Sequence, residues 1–513
     1  MTGDFAIAAG HLLTAEAGAE VLRAGGTAVD AAIAAGLTAM VAEPVLAGFL
    51  GGGFMMVRTA DGHEQLLDFF VQTPKFKRPV SDLDFRAIEA DFGETVQEFH
   101  IGSGAIAVSG LAPGLVEAHR HFGRIPLSEL TGPAARAARA GIEVTAFQAG
   151  LGRIIAPILK ASAGARALLC HDGEPLGEGA LYRNPEFAEV LEVFGVEGAN
   201  FVQRGEIATV LLSLTEEVGH LTEADLRAYR PEWRAPLIRQ RGVARIALNP
   251  PPSLGGTLIA FALEMILPGT RLVDIAGAFE ATTRARVEAG LDRVADDALA
   301  CLLAPELVER YREHLKGAAM STRGTTQISV FDGTGLGVAL TLSNGEGCGL
   351  IVPGTGIMAN NMLGESDLVP GGWHSWEPDR RLASMMCPLV ASWPDGRAAL
   401  MGSGGSNRIR TALTQVLIRL IDSAALLVEA VEAPRLHVEA GTPSAVDFEL
   451  EGLGEHERED LCSAFPQAQG WPERSMFYGG VHAVARTATG AVTAAGDPRR
   501  AGVAISRGHG AAG

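Results

Sequence analysis

Residues 321–335 read STRGTTQISVFDGTG, and the interpretation of this run decides what the rest of the chain must build. From Thr325 the pattern alternates: Thr326, Ile328 and Val330 fall on one face, and Thr325, Gln327 and Ser329 on the other. The closing DGTG supplies a turn, and LGVALTLS (336–343) reads as the return strand of a hairpin. Threonine favours strands, so a plain hairpin with a polar entry accounts for these residues. A chemical reading is also available. A threonine hydroxyl becomes a nucleophile when a base lies beside it, and its own α-amine serves once the preceding peptide bond is cut. Gly324 suits such a cut, because a residue without Cβ tolerates backbone angles that push a carbonyl towards the next Oγ. Of the two threonines the alternation favours Thr325, since Thr326 shares its face with Ile328 and Val330. Local sequence leaves both readings open.

Upstream, TAEAGAEVLRAGGTAVDAAIAAGLTAMVAE (14–43) reads as a pair of helices broken at Gly25–Gly26. Gly26 suits the first C-terminus and Thr27 caps the second helix. FMMVRTADGHEQLLDFF (54–70) gives strand, DG turn and strand. Residues 74–104 form a polar, irregular excursion, and whether it closes over a pocket is left open. From about 112 to 320 the pattern reads as helical, after 325 it returns to strands, and SNRIRTALTQVLIRLIDSA (406–424) is a further long helix. GSGGS (402–406) stands between a strand and that helix, with Ser406 or Asn407 as a cap. Its N–H groups suit a developing oxyanion, and a tight turn needs the same glycines. Length alone suggests about three domains. With no repeat or linker, and strands at both ends, one interleaved α/β unit is the better expectation.

The 513 residues are 47% hydrophobic and 20% charged, with a mean hydropathy of +0.18. That supports a large core. The formal charge of −18 is spread along the chain, which disfavours nucleic acid and anionic membrane as partners. The 5 cysteines are scattered without CxxC spacing, so neither a disulfide framework nor a zinc site is indicated. His119 and His121 stand two apart on a helical pattern and do not share a face, so they read as solvated. No GK[ST] or GxGxxG loop is present, and no metal or cofactor is expected. The stretch GLTAMVAEPVLAGFLGGGFMMV (36–57) is apolar enough for a membrane span, but Glu43, Pro44 and the triple glycine argue for buried helix, loop and strand. The start lacks a basic n-region, so a cytoplasmic location is the expectation.

Several blocks taken together resemble the γ-glutamyltransferase (γ-glutamyltranspeptidase) family of N-terminal-nucleophile hydrolases. They are AGGTAVDAAIA (24–34), GGGFMMVR (51–58) with LLDF (66–69), GLAPGLVEAHRHFGRIPL (110–127) and TTQISVFDGTG (325–335). VPGTGIMANNML (352–363), RRLASMMCPLV (380–390), GSGGSNRI (402–409), VEAPRLH (431–437) and AGDPRR (495–500) follow in family order. Any one block is weak, but the combination runs over nearly the whole chain.

The resemblance implies a four-layer αββα sandwich made as one precursor. Cleavage between Gly324 and Thr325 would give a large segment, 1–324, and a small one, 325–513, which together form one unit, with a homodimer of that unit as a further expectation. Thr325 would be the nucleophile and its freed amine the base. Ser343 matches the supporting hydroxyl, Gly404 and Gly405 the oxyanion pair, and Asn344 approximately a substrate-binding asparagine. Departures fall on the acyl pocket. Phe70 in DFFVQTP occupies the place of the arginine that clamps the glutamate α-carboxylate. Lys75, Lys77 and Arg78 are the cations close enough in sequence to compensate. Met362 replaces a polar residue, Glu365 an aspartate, and Ala383 the first of a serine pair, leaving Ser384. The resemblance therefore implies a threonine amidohydrolase or acyltransferase passing an acyl group to water or an amine, in glutathione metabolism. γ-Glutamyl donors are the default, and the alternatives are a rebuilt pocket for another acyl group and a non-catalytic binding protein on this fold.

Overall fold

The computed structural model describes residues 3–91, 96–288, 302–303, 311, 324–369, 371–439 and 445–508. Cys301 lies outside them, as does most of the helical pattern expected beyond Glu288.

The hairpin at 325 lies at the centre of the molecule. Thr326–Phe331 pairs antiparallel with Gly337–Ser343, with Thr326 opposite Leu342. Phe5–Ala9 flanks the first of these strands and Gly52–Arg58 the second. Among the described residues they belong to a seven-stranded sheet. Its spatial order is Glu232–Arg234, Glu64–Phe69, Gly52–Arg58, Gly337–Ser343, Thr326–Phe331, Phe5–Ala9, Val503–Arg507. A six-stranded sheet lies against it in the order Leu237–Arg241, Ala244–Leu248, Leu389–Ser392, Ala398–Gly404, Gly480–Arg486, Val492–Ala495. The strand Thr326–Phe331 faces Ala398–Gly404 and Gly480–Arg486 across the interface.

Helices close both outer faces. Leu12–Arg23 and Ala28–Ala42 cover the first sheet, while Leu254–Met265 and Arg408–Asp422 cover the second, giving four layers. The helix Ala28–Ala42 is buried along its whole length. That is the environment expected of a helix apolar on every side. Its small residues allow the close approach: a Cβ on Gly36 would already stand 3.2 Å from the Leu342 side chain. Thr27 starts this helix with a capping box, accepting from the Asp30 N–H while Asp30 accepts from its own. The left-handed residue that ends the preceding helix is Gly25, at φ +89°, and not Gly26.

The expected membrane-like stretch divides into the end of Ala28–Ala42, an irregular turn and the strand Gly52–Arg58. No helix among the described residues is long and apolar enough to cross a membrane. Two segments differ from the sequence pattern. The reading of 112–320 as helical fails at Glu232–Arg234, Leu237–Arg241 and Ala244–Leu248, which are strands. LIRQR and ARIAL are five-residue strands bearing arginines, too short and too polar to produce a strong period-2 signal. The supposedly irregular 74–104 contains a hairpin, Arg86–Asp91 paired with Val96–Ile101. It packs so closely on the Met362–Gly364 turn that a Cβ on Gly364 would lie 2.0 Å from the His100 carbonyl oxygen.

Candidate active site

Thr325 is the residue before the central strand, and Ser343 is the last residue of the neighbouring one. Both are nearly inaccessible, at 5% and 6% exposure. Their hydroxyls converge on one atom. Thr325 Oγ1 donates to the Gly324 carbonyl oxygen at 2.6 Å, and Ser343 Oγ donates to the same oxygen at 3.0 Å. Ser343 Oγ also accepts the Gly345 N–H at 3.1 Å, which fixes its lone pair and aims its proton. The Gly324 N–H donates to Glu346 Oε1 at 2.6 Å. The peptide between Gly324 and Thr325 is thus held at both its flanking donor and its carbonyl.

The second sheet presses on this point from behind. A Cβ on Gly404 would fall 2.2 Å from the Thr325 carbonyl oxygen, so only glycine fits the strand there. Gly405 follows at φ +116°, a conformation other residues rarely adopt. Ser406 donates to Asp367 at 2.8 Å instead of capping the next helix, and Asn407 makes no side-chain cap either. Asn407 Oδ1 accepts from Arg286 at 3.2 Å.

On its open side Thr325 looks into a cleft. Gly324, Ser343, Ser384 and Ser406 contribute polar surface to it, and Glu365 and Asp367 contribute carboxylates. Phe70, Leu254, Met362, Leu368, Met385 and Ile409 supply apolar walls. No lysine, arginine or histidine belongs to this lining among the described residues. Phe70 is fully buried and stacks on Phe54 with ring centroids 5.4 Å apart. Its carbonyl accepts from Tyr229 Oη and from Arg381, both at 2.6 Å. Ser384 Oγ accepts the Met386 N–H at 3.0 Å.

The cations proposed as compensation lie elsewhere. Lys75 pairs with Asp379 at 3.2 Å, Lys77 covers the Trp376 ring and donates to its carbonyl, and Arg78 donates to the Glu216 carbonyl. Asn344 is also not brought to the cleft. Successive residues of a strand face opposite sides, so with Ser343 turned to Thr325 its neighbour turns away. Asn344 lines a separate hollow with Gly48, Phe49 and Tyr182, and donates to the Met358 carbonyl at 3.2 Å. His119 and His121 are remote from all of this: one ring bonds the Ile125 carbonyl, the other Glu117.

Three charged residues near Thr325 carried no role in the sequence reading. Glu43, at the end of Ala28–Ala42, accepts from Thr326 Oγ1 at 2.8 Å and Thr14 Oγ1 at 3.1 Å. Burial pushes its carboxyl up to about 7, against the two hydroxyl donors and the more distant charge of Arg500. Arg500 donates to the Thr325 carbonyl oxygen at 3.3 Å. Burial pulls that guanidinium down to about 10, opposed by the carboxylates of Glu346, Asp497 and Glu43. The turn carrying Arg500 is anchored by wholly buried ion pairs, Arg435–Asp497 at 2.7 Å, Arg499–Asp497 at 3.2 Å and Arg499–Glu449 at 2.5 Å. This accounts for AGDPRR as a motif. Glu43 had one sequence signal, a lone carboxylate inside an apolar run, which predicts a buried and partnered group. Arg500 had only its place at the end of the AGDPRR block, and Glu346 had none.

The arrangement places a polarised carbonyl, a hydroxyl and an adjoining cleft together, which is the equipment of acyl transfer. Comparison with known proteins agrees. Residues 14–506 match the family profile described as Gamma-glutamyltranspeptidase. The chain is 31% identical over 461 residues to the Acylase ACY 1 proenzyme of Pseudomonas sp. strain V22, covering 84% of this chain and 82% of that protein. It is 29% identical over 472 residues to the Glutathione hydrolase proenzyme of Pseudomonas aeruginosa, with coverages of 84% and 82%. The structure of cephalosporin acylase from Bacillus halodurans shares the fold, with a TM-score of 0.84 over 99% of this chain and 97% of that one at 22% identity. From strand order to sequence match, the chain belongs to the gamma-glutamyltranspeptidase family and is an enzyme of the N-terminal-nucleophile hydrolase type.

Proposed function

We propose that this chain cuts itself between Gly324 and Thr325, and that the new N-terminal threonine then cleaves an acyl amide whose acyl group carries no carboxylate. The observation that carries the first half is the meeting of the Thr325 and Ser343 hydroxyls on the Gly324 carbonyl oxygen. Thr325 Oγ adds to the Gly324 carbonyl carbon while its proton passes to the Thr325 nitrogen. The C–N bond then breaks, leaving an ester and a free amine. Water splits that ester, returning a proton to Oγ and leaving Gly324 as a carboxylate. The proenzyme names of the relatives support such processing.

In turnover the freed amine takes the Oγ proton as Oγ attacks the substrate amide, and the proton goes on to the departing amine. A threonyl ester of the acyl group remains. Water, or an acceptor amine in its place, attacks the ester with the α-amine again accepting the proton. Ser343 Oγ supports the Thr325 hydroxyl in both steps, and Gly404 and Gly405 are the oxyanion donors that the resemblance implies.

The lining of the cleft supports the second half. A γ-glutamyl group brings an α-carboxylate that needs a cation, and the cleft beside Thr325 offers Phe70, Met362 and the carboxylates Glu365 and Asp367 instead. Among the described residues the lining gives that carboxylate no donor fork, and Glu365 and Asp367 suit only the α-ammonium that such a group also carries. We therefore favour an acylase reading over the γ-glutamyl default drawn from resemblance; acylase proenzymes are among the relatives, as are glutathione hydrolases. The test is mass spectrometry of the purified protein followed by a p-nitroanilide panel. Two fragments, the second starting at Thr325, are expected, with straight-chain acyl anilides hydrolysed faster than the γ-glutamyl one. A single intact chain overturns the nucleophile assignment. A preference for the γ-glutamyl anilide overturns the acyl-group assignment alone.

A further inference from the structure

Glu346 stands where neither nucleophile nor acyl pocket needs it. It lies between two left-handed glycines, Gly345 at φ +66° and Gly347 at φ +90°. Its own N–H and that of Gly347 both donate to Asn361 Oδ1, at 2.9 and 3.1 Å. The side chain is buried at 6% exposure. The turn is therefore rigid, and it points the carboxylate at Gly324. One oxygen accepts the Gly324 N–H at 2.6 Å, and the other lies 3.1 Å from where a Cβ on Gly324 would be. A larger residue at 324 would press on that carboxylate.

We infer that Glu346 is a positioning residue for self-cleavage and, once the bond is cut, the group that drives the new C-terminus out of the cleft. This rests on the self-cleavage reading above. Before the cut, Gly324 presents a neutral amide whose N–H is clamped, so its carbonyl stays between the hydroxyls of Thr325 and Ser343. A charge-assisted hydrogen bond is among the stronger ones available for such a task. After ester hydrolysis the same glycine ends in a carboxylate. That anion joins the Glu346 carboxylate in a buried site where Arg500, the cation facing Glu346, already faces Asp497 and Glu43 as well, so the added like charge is opposed. The clamp that held the substrate peptide thus repels its product, and the cleft is vacated for the acyl donor.

Two variants separate the parts. Glu346→Gln keeps an acceptor and removes the charge, and Glu346→Ala removes both. Cleavage, followed by mass spectrometry from freshly refolded precursor, is expected to slow by about tenfold or more in the alanine variant. The glutamine variant is expected to be within about threefold of wild type, since it retains the bond. The second readout is inhibition of the processed enzyme by the peptide Ser-Thr-Arg-Gly, as free acid and as C-terminal amide. On wild type the amide is expected to bind about tenfold tighter than the acid, and Glu346→Gln is expected to erase that difference. Wild-type cleavage speed in Glu346→Ala, or equal binding of acid and amide by wild type, overturns the inference while leaving Thr325 as nucleophile. A wild-type chain that is never cut at 324–325 overturns the self-cleavage reading itself. Should the alanine variant fail to fold, the peptide pair on wild type and Glu346→Gln still decides.

Discussion

Replacing Glu43 by glutamine is expected to stabilise the protein above neutral pH and to leave it unchanged near pH 4.5. The carboxyl is buried at 3% exposure at the C-terminus of Ala28–Ala42, where the helix dipole also disfavours an anion. Its pKa rises from 4.5 to about 7, with burial the largest cause. The direction of the pH effect follows. Between those values the folded state holds the proton and the unfolded state has lost it, so stability falls as pH rises from 4.5 to 7 and stays low above. At about 1.4 kcal/mol per pH unit, the loss across that interval is about 3 kcal/mol. Glutamine has the same shape, accepts from one of Thr14 and Thr326 and donates to the other, and does not ionise. Urea unfolding from pH 4.5 to 8 in a Thr325→Ala background, which keeps a single chain, measures the difference. A gain that grows with pH to about 3 kcal/mol agrees with a buried acid that prefers its proton. A difference independent of pH, or a glutamine variant less stable at pH 8, refutes it.

Ser343→Ala removes one of the two hydroxyls on the Gly324 carbonyl and strips the Gly345 N–H of its acceptor. Cleavage, timed by the appearance of the fragment starting at Thr325, is expected to slow by ~10²–10³. Gly404→Ala introduces a Cβ 2.2 Å from a backbone oxygen that cannot rotate away. The sheets must part, at a cost of about 1–3 kcal/mol or more, read as a lowered Tm together with lost activity. Asp68→Asn keeps the acceptor for the Phe70 N–H but leaves Arg234 and Arg381, now 2.9 and 3.7 Å from its carboxylate, facing a neutral group. A loss of about 1–3 kcal/mol in urea unfolding is expected, since both arginines then keep only the half-exposed Glu232 as counter-charge.

What the sequence made legible was whatever repeats locally. The alternation after Thr325 set Ile328 and Val330 on one face and Gln327 and Ser329 on the other; in the fold the first pair joins the core with the helix Ala28–Ala42, Gln327 accepts from Thr341, and Ser329 donates across to the His482 carbonyl. The Thr27–Asp30 capping box is likewise a three-residue signal. Periodicity faded where strands shrank to five residues with arginines; Asn344 came only from an approximate match by resemblance, and one residue along a strand reverses the face. The charges around Thr325 fail for a different reason. Thr326 meets Glu43 across 283 positions and Thr325 meets Arg500 across 175. No window of sequence reports such distances.

Those long separations constrain how the enzyme can mature. The Gly324 carbonyl is polarised only after the strand Gly337–Ser343 has brought Ser343 alongside. The clamp on its N–H requires the Asn361-held turn, and the pressure on Thr325 requires the second sheet and the Asp497 turn behind Arg500. A chain that has folded only part of this has an ordinary Gly–Thr peptide with an unactivated hydroxyl. On the proposed reading, self-cleavage is therefore a report on completed tertiary structure. Mutations that loosen the sheet interface far from Thr325 should be detected first as uncut precursor, before any loss of secondary structure.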